Sequence, residues 1–307
     1  MGYTLSPMAT ERGFVATVDT ALYPLRKALK NKEKNSKTIS AAFFLQRNLN
    51  PNTRFSWINR PYSAKSVNFI PIQLINTMHN PSQLLQSRLT ALGDEKKARW
   101  LENYVKHDIR SKGVGIPQIR EVVKAVAKEH GLNQQPTEAQ FDLLSDLMQQ
   151  PFTEDKLAAI LYLQLYWKGM DAQPQLDLIS HWFDQRWISD WNVCDWLCVR
   201  LLSPMLDRSP EQALPVLKAW NGNEYLWTAR ASLVPFAQCK SITEHIDTIE
   251  AFSSILIQRE ERFCKTSVGW VLREYSRHDK DFVLRFLEEH KDWVTPEVVK
   301  NATKYIS

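Results

Sequence analysis

The chain has 307 residues, of which 44% are hydrophobic, so it can form a substantial buried core. No apolar run reaches the roughly 20 residues that a membrane-spanning helix needs, and the sequence therefore predicts no membrane partner. Only 9 glycines are present, and segments with helical spacing dominate over alternating ones, which predicts an all-α fold.

The net charge of +5 is unevenly distributed. Residues 1–85 contain 11 basic and 3 acidic residues, whereas residues 86–307 contain 28 basic and 31 acidic residues. We expect residues 1–85 to form a basic, poorly ordered N-terminal extension and residues 86–307 to form one helical domain. If that domain binds nucleic acid, it must do so through a local basic face and not through its overall charge.

The composition of residues 1–85 also bears on location. It is basic, poor in acids and rich in Ser and Asn, which is compatible with an organellar or nuclear targeting segment. If the protein is bacterial and the segment has no such role, we expect it in the cytoplasm or associated with the nucleoid.

Helical patterns then follow one another, separated by short connections that often contain proline. They are predicted at 92–111, 117–131, 137–149, 154–168, 173–186, 189–203, 210–220, 224–238, 243–257, 262–278, 280–290 and 295–305. Pairs of helices recur at about 35 to 40 residues, which favours a HEAT-like helical-repeat solenoid, an α-α superhelix. Such a solenoid has a concave face suited to duplex DNA. An irregular helical bundle is the alternative.

The helix predicted at 189–203 carries the first candidate site. Trp191 and Asp195 lie four residues apart at one edge of its apolar stripe, and so they are neighbours on the helix surface. A carboxylate at the edge of an apolar surface, beside an indole, could belong to an active site. The alternative is a solvated aspartate beside a tryptophan that only packs.

Arg230 is the second candidate, because it falls in the middle of the apolar stripe of its helix. Burying an unpaired guanidinium is costly, so Arg230 needs a carboxylate partner or an anionic ligand. Arginine suits phosphate, since its planar group binds two oxygens at once. A phosphate contact and an internal salt bridge therefore both remain open.

Trp270 is the third candidate. It falls opposite the apolar stripe of the helix at 262–278, beside Thr266, Arg273 and Arg277. A tryptophan on a cationic face indicates a surface that meets something flat, apolar or anionic. Cover by a neighbouring helix is the alternative.

Other kinds of site are poorly supported. Cys194 and Cys198 are four residues apart, but no further pair with zinc-ligand spacing accompanies them, so we expect no metal. No phosphate-binding glycine loop and no Gly-x-Ser-x-Gly motif is present, so we expect no nucleotide or other cofactor and no serine hydrolase chemistry.

Four segments of the chain match a known family in order. They are Tyr104-Val105-Lys106 with Gly113-Val114-Gly115-Ile116-Pro117-Gln118-Ile119-Arg120; Trp191-Asn192-Val193-Cys194-Asp195; Trp227-Thr228-Ala229-Arg230-Ala231; and Lys265-Thr266-Ser267-Val268-Gly269-Trp270-Val271-Leu272-Arg273-Glu274-Tyr275. Together they resemble DNA alkylation repair enzymes of the AlkD-like group, the HEAT-like alkylpurine DNA glycosylases, and the resemblance spans about residues 90–306. Four matches in the right order form a specific signal.

The resemblance implies a role for individual residues. Asp195 matches the catalytic aspartate, and Trp191 and Trp270 match the tryptophans that flank the lesion-bearing nucleotide. Arg230 matches an arginine that holds the DNA backbone, and Tyr104 matches a tyrosine near the opposite strand. We add Lys265 and Arg273, from the most specific segment, as expected DNA contacts.

The chain departs from the family pattern at three positions. Asn192 stands where a second aspartate is frequent, Cys194 where valine is usual, and Gly115 where some members have a glutamine directed toward the duplex. The last difference affects the expected contacts with the opposite strand.

The implied activity is hydrolysis of the N-glycosidic bond of N3- or N7-alkylated purines in double-stranded DNA by a monofunctional, monomeric enzyme. An alkylated purine is cationic and leaves readily, so a carboxylate that stabilises positive charge on the sugar suffices. Two other functions stay open. One is an inactive relative that binds duplex or branched DNA, and the other is a helical-repeat scaffold that binds proteins.

Overall fold

The computed structural model describes residues 80–306, and all structural statements below concern this part of the chain. Its α-helices, numbered in chain order, are α1 (Pro81–Ala91), α2 (Glu95–Tyr104), α3 (Ile116–His130), α4 (Thr137–Met148), α5 (Thr153–Tyr166), α6 (Ala172–Asp184), α7 (Trp191–Leu197), α8 (Ser203–Arg208), α9 (Pro210–Asn221), α10 (Leu226–Leu233), α11 (Ile246–Ile257), α12 (Arg262–Tyr275), α13 (Lys280–Glu289) and α14 (Pro296–Ala302). The fold is all-α, as predicted.

The helices pack in two layers. One layer contains α3, α5, α7, α10, α12 and α14 in that order, and the other contains α1, α4, α6, α9 and α11. Within the first layer each helix contacts the next. The two layers are joined by contacts between helices that are consecutive in the chain, such as α4 with α5 and α9 with α10. Contacts between successive helix pairs are the mark of a helical-repeat fold, which confirms that prediction.

Helix α5 is central to this packing, since every residue from Thr153 to Leu163 is buried. The carboxylate of Glu154 accepts hydrogen bonds from Ser111 Oγ at 2.7 Å, Lys112 N at 2.8 Å and Gly113 N at 2.9 Å. The buried ion pair between Lys112 and Asp155, at 2.6 Å, adds a second tie. Together they fix the segment 111–115, which connects α2 to α3, against the centre of the fold.

The helix predicted at 92–111 is shorter than expected, because α2 ends at Tyr104. Lys106 and His107 both have left-handed backbones, with φ of 60° and 62°, which a continuing helix does not allow. Gly113 has φ of 78°, and a Cβ there would lie 2.1 Å from Asp94 O, so only glycine fits the turn.

The predicted helix at 189–203 is also more complex than expected. It begins as α7, continues through a π-helical turn at Cys198–Leu202, and leads into α8. Directly after this turn, Ser203 Oγ donates a hydrogen bond to Pro235 O at 2.6 Å, which is a contact with the next repeat. π-helical turns are rare and are often found beside functional sites.

Helix α1 begins at Pro81, so helical structure starts slightly before the predicted boundary at residue 86. The cap is provided by Asn80, whose side chain accepts a hydrogen bond from Ser82 N. Residues 1–79 lie outside the described residues, and the extension and targeting role predicted for this region stay predictions. Among the described helices, none has the length and apolar character required to cross a membrane.

Candidate nucleic-acid interface and active site

Helix α7 positions Trp191 and Asp195. Asp190 is its N-cap, and one oxygen of this side chain accepts a hydrogen bond from Val193 N at 3.0 Å. Val193, with Cys194 and Leu197, is buried on the inner face of the helix. Trp191 and Asp195 are therefore left half-buried at its edge, as the helical spacing predicts.

Asp195 and Arg230 form a two-pronged ion pair. Arg230 Nε donates to Asp195 Oδ1 at 2.8 Å, and Nη2 donates to Oδ2 at 3.0 Å. The third donor group, Nη1, bonds to Phe263 O at 2.6 Å and to Thr266 Oγ1 at 3.3 Å. Burial lowers the pKa of Arg230, but the Asp195 carboxylate outweighs it, so the pKa is raised and the group stays charged.

This arrangement decides between the two alternatives for Arg230. Its side chain is only 6% exposed, and all three of its nitrogens bond within the protein. The structure shows the internal salt bridge, with which Arg230 holds Asp195 in place, and contact of this side chain with the DNA backbone stays a prediction. Asp195 is 16% exposed, and each carboxylate oxygen keeps a further acceptor site, so it can still face a ligand.

Trp270 lies one helical turn beyond Thr266 on α12, and Thr266 accepts a hydrogen bond from the guanidinium of Arg230. It is half-buried and packs against the core. Its indole N–H is buried and has no hydrogen-bond acceptor among the described residues. A buried donor without a partner is unfavourable, and an incoming ligand oxygen could satisfy it.

Lys265 and Arg273, which were expected to contact DNA, form their hydrogen bonds inside the protein. Lys265 Nζ donates to Ile257 O, at the end of α11, at 3.0 Å and to Trp293 O, in the turn between α13 and α14, at 2.6 Å. Arg273 pairs with Glu274 at 2.7 Å and bonds to Asn301 at 3.0 Å. These contacts give both side chains a structural role, and their contact with DNA stays a prediction.

Tyr104 belongs to a row of aromatic rings that ends at the site. Its ring meets Trp191 edge-on, with centroids 5.1 Å apart, and it stacks on Trp100 at 5.4 Å and an interplanar angle of 6°. Tyr104 is 54% exposed and Trp100 is 65% exposed. The sequence reasoning missed Trp100, although its position four residues before Tyr104 on the same helix indicates that the two rings are neighbours.

A local basic face is present, as the charge distribution requires for binding nucleic acid. A cleft of about 590 Å³ lies among α3, α5 and the segment from α7 to α8. We call it the basic cleft, and its cationic lining residues are Arg120, Lys168, Arg200, Arg208 and Lys240. The acidic lining residue, Asp207, already accepts hydrogen bonds from Ser241 and Cys239. These cations come from separate helices and connecting segments, so no motif reveals them.

A second cleft, of about 350 Å³, is lined by His107, Arg110, Lys156 and Arg186, with Asp108 as its acid. It lies beside the start of α7, where Lys156 Nζ donates to Trp187 O at 2.7 Å. Burial lowers the pKa of Lys156 to about 8 and raises the pKa of Asp190 to about 6.

The cysteines do not form a reactive site. All four are free and buried, and burial raises the pKa of Cys239 and of Cys264 to about 11. A thiol with a raised pKa is a poor nucleophile at neutral pH. The described residues contain no group of three or more His, Cys, Asp or Glu side chains suited to hold a metal ion.

A comparison with known protein families gives a match over nearly all of the described residues. The family model described as DNA alkylation repair enzyme matches residues 85–306. The chain belongs to this family. The match covers all the proposed site residues.

Similarity to individual known proteins is more remote. A solved structure titled "Predicted DNA alkylation repair enzyme from Enterococcus faecalis" is similar, with a TM-score of 0.61 and 20% sequence identity over 70% of this chain and 97% of that chain. At this identity the likeness concerns the fold. No curated protein is significantly similar in sequence.

Proposed function

We propose that this DNA alkylation repair protein is a monofunctional glycosylase that removes N3- or N7-alkylated purines from duplex DNA and leaves an abasic site. The observation that carries the proposal is the carboxylate of Asp195, held by both oxygens yet still 16% exposed, at the edge of α7 beside Trp191. The proposal includes action as a monomer and without a cofactor.

The chemistry needs little from the protein. An alkylated purine carries a positive charge and departs as a neutral base, while positive charge develops on the deoxyribose. A carboxylate fixed before the reaction stabilises that charge without having to reorganise. Arg230 fixes the orientation of Asp195 by bonding to both of its oxygens, and the remaining acceptor sites of the carboxylate can orient the attacking water.

The aromatic residues and the clefts complete the site. Trp191 and Trp270 would contact the sugar, and their ring faces favour a cation. The basic cleft would hold the phosphate backbone, a contact that positions DNA without reading its sequence.

The test is an excision assay on methylated duplex DNA. We expect the wild type to release 7-methylguanine and Asp195→Asn to release it about 10²- to 10³-fold more slowly, because a preorganised electrostatic contact is lost. Asp177→Asn, an exposed acid on α6, is the matched control and should behave as the wild type.

The outcomes separate the alternatives. Undiminished release by Asp195→Asn, in a variant shown to be folded, refutes the role of Asp195. Wild-type protein that binds duplex DNA but releases no base would instead be an inactive DNA-binding relative. Failure to bind plain duplex at low salt would favour a protein-binding scaffold.

A further inference from the structure

The proposed chemistry leaves the second cationic cleft unused. This cleft has a volume of about 350 Å³, and we call it the Arg110 cleft. Three segments that connect helices form most of its lining, namely 107–110, 149–151 and 186–189. Its cationic side chains include Arg110, Arg186 and Lys156, and Asp108 is the acidic one. The cleft therefore has an excess of positive charge.

Two arginines of this cleft have guanidinium groups without an acidic partner. The guanidinium carbon of Arg110 lies 4.5 Å from the centroid of the Phe152 ring, and that of Arg186 lies 5.1 Å from the centroid of the Tyr225 ring. Neither group forms a hydrogen bond or an ion pair with any residue between 80 and 306. A ring beneath a guanidinium holds its plane and leaves its N–H donors free. Both groups are therefore prepared to bind an anion.

The backbone places one of these arginines at some cost. Arg186 has a left-handed backbone, with φ of 55°, and follows the last residues of α6. Glycine is the usual residue at such a position, because a side chain disfavours this conformation. The end of the helix alone does not explain an arginine here, whereas a role for its side chain in the cleft does.

Lys156 adds a buried cation to the lining. Its ammonium group donates to Met148 O and, at 2.7 Å, to Trp187 O, so one of its three donors has no partner in the described part of the chain. Burial lowers its pKa to about 8, so it is still largely protonated at neutral pH. The carboxylates of Asp190 and Asp155 act on its charge. The two arginines therefore supply most of the free positive charge of the cleft.

The Arg110 cleft and the basic cleft lie at opposite ends of the same two helices. Residues just before α5 and α7 line the Arg110 cleft, whereas the last turn of α5 and the π-helical turn after α7 line the basic cleft. The 14 residues of α5 separate the clefts by about 20 Å, at about 1.5 Å per residue. Asp195, on α7, lies between these ends. Phosphates follow one another every 3.4 Å or so along a strand, roughly a sixth of this separation, so the two clefts face different phosphates.

We propose that the Arg110 cleft binds a backbone phosphate of the DNA, at a position different from those that the basic cleft holds. This rests on the proposed action on duplex DNA and adds a second anchoring point to it. Each guanidinium can bind two phosphate oxygens, which suits a phosphodiester. Contacts on both sides of Asp195 restrict the rotation of the duplex and keep the damaged nucleotide beside the carboxylate.

The first measurement is the salt dependence of binding to plain duplex DNA. Arg110→Gln and Arg186→Gln remove the charge and keep a polar side chain. We expect the double variant to make the slope of log affinity against log salt shallower by about 0.9, the value for one phosphate contact. Arg285→Gln is the matched control and should keep the wild-type slope, because Arg285 also lies over a ring, that of Phe282 at 5.3 Å, but pairs with Glu250.

The second measurement locates the phosphate. Duplexes with a stable abasic analogue receive one neutral methylphosphonate at a time on each strand, and the dissociation constant is measured for each. Neutralising a contacted phosphate should weaken wild-type binding about tenfold, the size of one hydrogen bond to a charged group. In the Arg110→Gln, Arg186→Gln double variant, one such position should lose its effect. In Arg208→Ala, a change in the basic cleft, a different position should lose it.

Both arginines of the double variant are exposed, so it should keep the unfolding midpoint of the wild type. A wild-type salt slope in the folded double variant overturns the proposal, and so does loss of the same phosphate effect in this variant and in Arg208→Ala. Binding of inorganic phosphate that the double variant abolishes, without a change in the DNA slope, would identify a free anion as the ligand and would also overturn it.

The measurements also separate this proposal from the proposed function. If the methylphosphonate positions behave as expected in a protein that releases no 7-methylguanine, the glycosylase activity is refuted and the phosphate site stands. Excision of 7-methylguanine with an unchanged slope in the double variant would refute the phosphate site alone.

Discussion

At the scale of single residues, the Asp195–Arg230 pair shows what a motif can and cannot convey. The motif order singled out both residues, and helical spacing placed Asp195 beside Trp191. It did not reveal that the two side chains bind each other, because they lie 35 residues apart on different helices. A buried arginine requires an anionic partner, but only the packing of the helices determines which anion it binds.

The pair should be strongly coupled in stability. Removing either partner leaves a largely buried charge, so we expect Asp195→Asn and Arg230→Met each to lower the free energy of unfolding by about 3 kcal/mol. The double variant should lose less than the sum, with a coupling energy of about 1 to 3 kcal/mol. Urea unfolding of the four proteins measures this.

Arg88 and Glu129 form the matched control. Their ion pair has a similar length of 2.7 Å, but both side chains are substantially exposed. The same cycle there should give a coupling energy of about 0 to 1 kcal/mol. Additive losses at Asp195 and Arg230 would contradict the positioning role.

At the scale of helices, α7 depends on a cap whose charge is buried. Asp190 is fully buried, its second oxygen has no hydrogen-bond partner among the described residues, and burial raises its pKa to about 6. Lys156 and Asp108 are the charged groups that act on it. Because the folded pKa is above the unfolded value of 3.8, the unfolded state binds fewer protons between these values, and stability falls as pH rises through this range.

We therefore predict that Asp190→Asn removes this dependence. Asparagine caps a helix as well as aspartate and carries no charge to bury. Relative to the wild type, the variant should gain up to about 3 kcal/mol in unfolding free energy as pH rises from 4 to 7, since one pKa unit corresponds to about 1.4 kcal/mol. Parallel stability–pH profiles of the two proteins, from denaturant titrations, would show the prediction to be wrong.

Helix α12 approaches α14 closely at Gly269. A Cβ on Gly269 would lie 3.2 Å from both Cα and O of Val298, which is tighter than nearly all real contacts. We predict that Gly269→Val lowers the unfolding free energy by about 2 kcal/mol through overpacking. Ala251→Val places the same side chain on the exposed face of α11 and should cost less than about 1 kcal/mol. Equal losses in thermal unfolding would exclude this explanation.

The helical elements were predicted well where apolar spacing is regular and poorly where the backbone departs from it. The positions of α3, α4, α6 and α9 follow from the spacing and from the prolines near their starts, and the position of α13 follows from the spacing. The end of α2 does not, since Lys106 and His107 adopt left-handed backbones without a glycine to signal it. Trp100 belongs to no motif, and the row of rings that it joins is formed by α2 and α7 together.

At the scale of the molecule, we propose that the basic cleft, and not Arg230, provides the electrostatic contacts with DNA. Its cations come from five separate segments, so neither composition nor motif indicated it. Arg208 is exposed there, whereas Arg230 is buried with its donors engaged. Only groups that displace counterions from phosphate contribute to the salt dependence of DNA binding.

We predict that Arg208→Ala makes the slope of log affinity against log salt shallower by about 0.9, the value for one phosphate contact. Arg230→Ala should leave the slope unchanged, even if it lowers stability. Arg285→Ala, an exposed arginine on α13, is the control. A shallower slope for Arg230→Ala but not for Arg208→Ala would restore Arg230 as the phosphate ligand.

Arg230 also joins three successive repeats, since it binds Asp195 on α7 and both Phe263 O and Thr266 on α12 while belonging to α10. In an array held together only by neighbouring units, such a crossing point resists separation of the two ends. The Arg230 side chain therefore both holds three repeats together and fixes the carboxylate that we propose to be catalytic. A substitution of Arg230 therefore weakens contacts among three repeats and releases the Asp195 carboxylate at the same time.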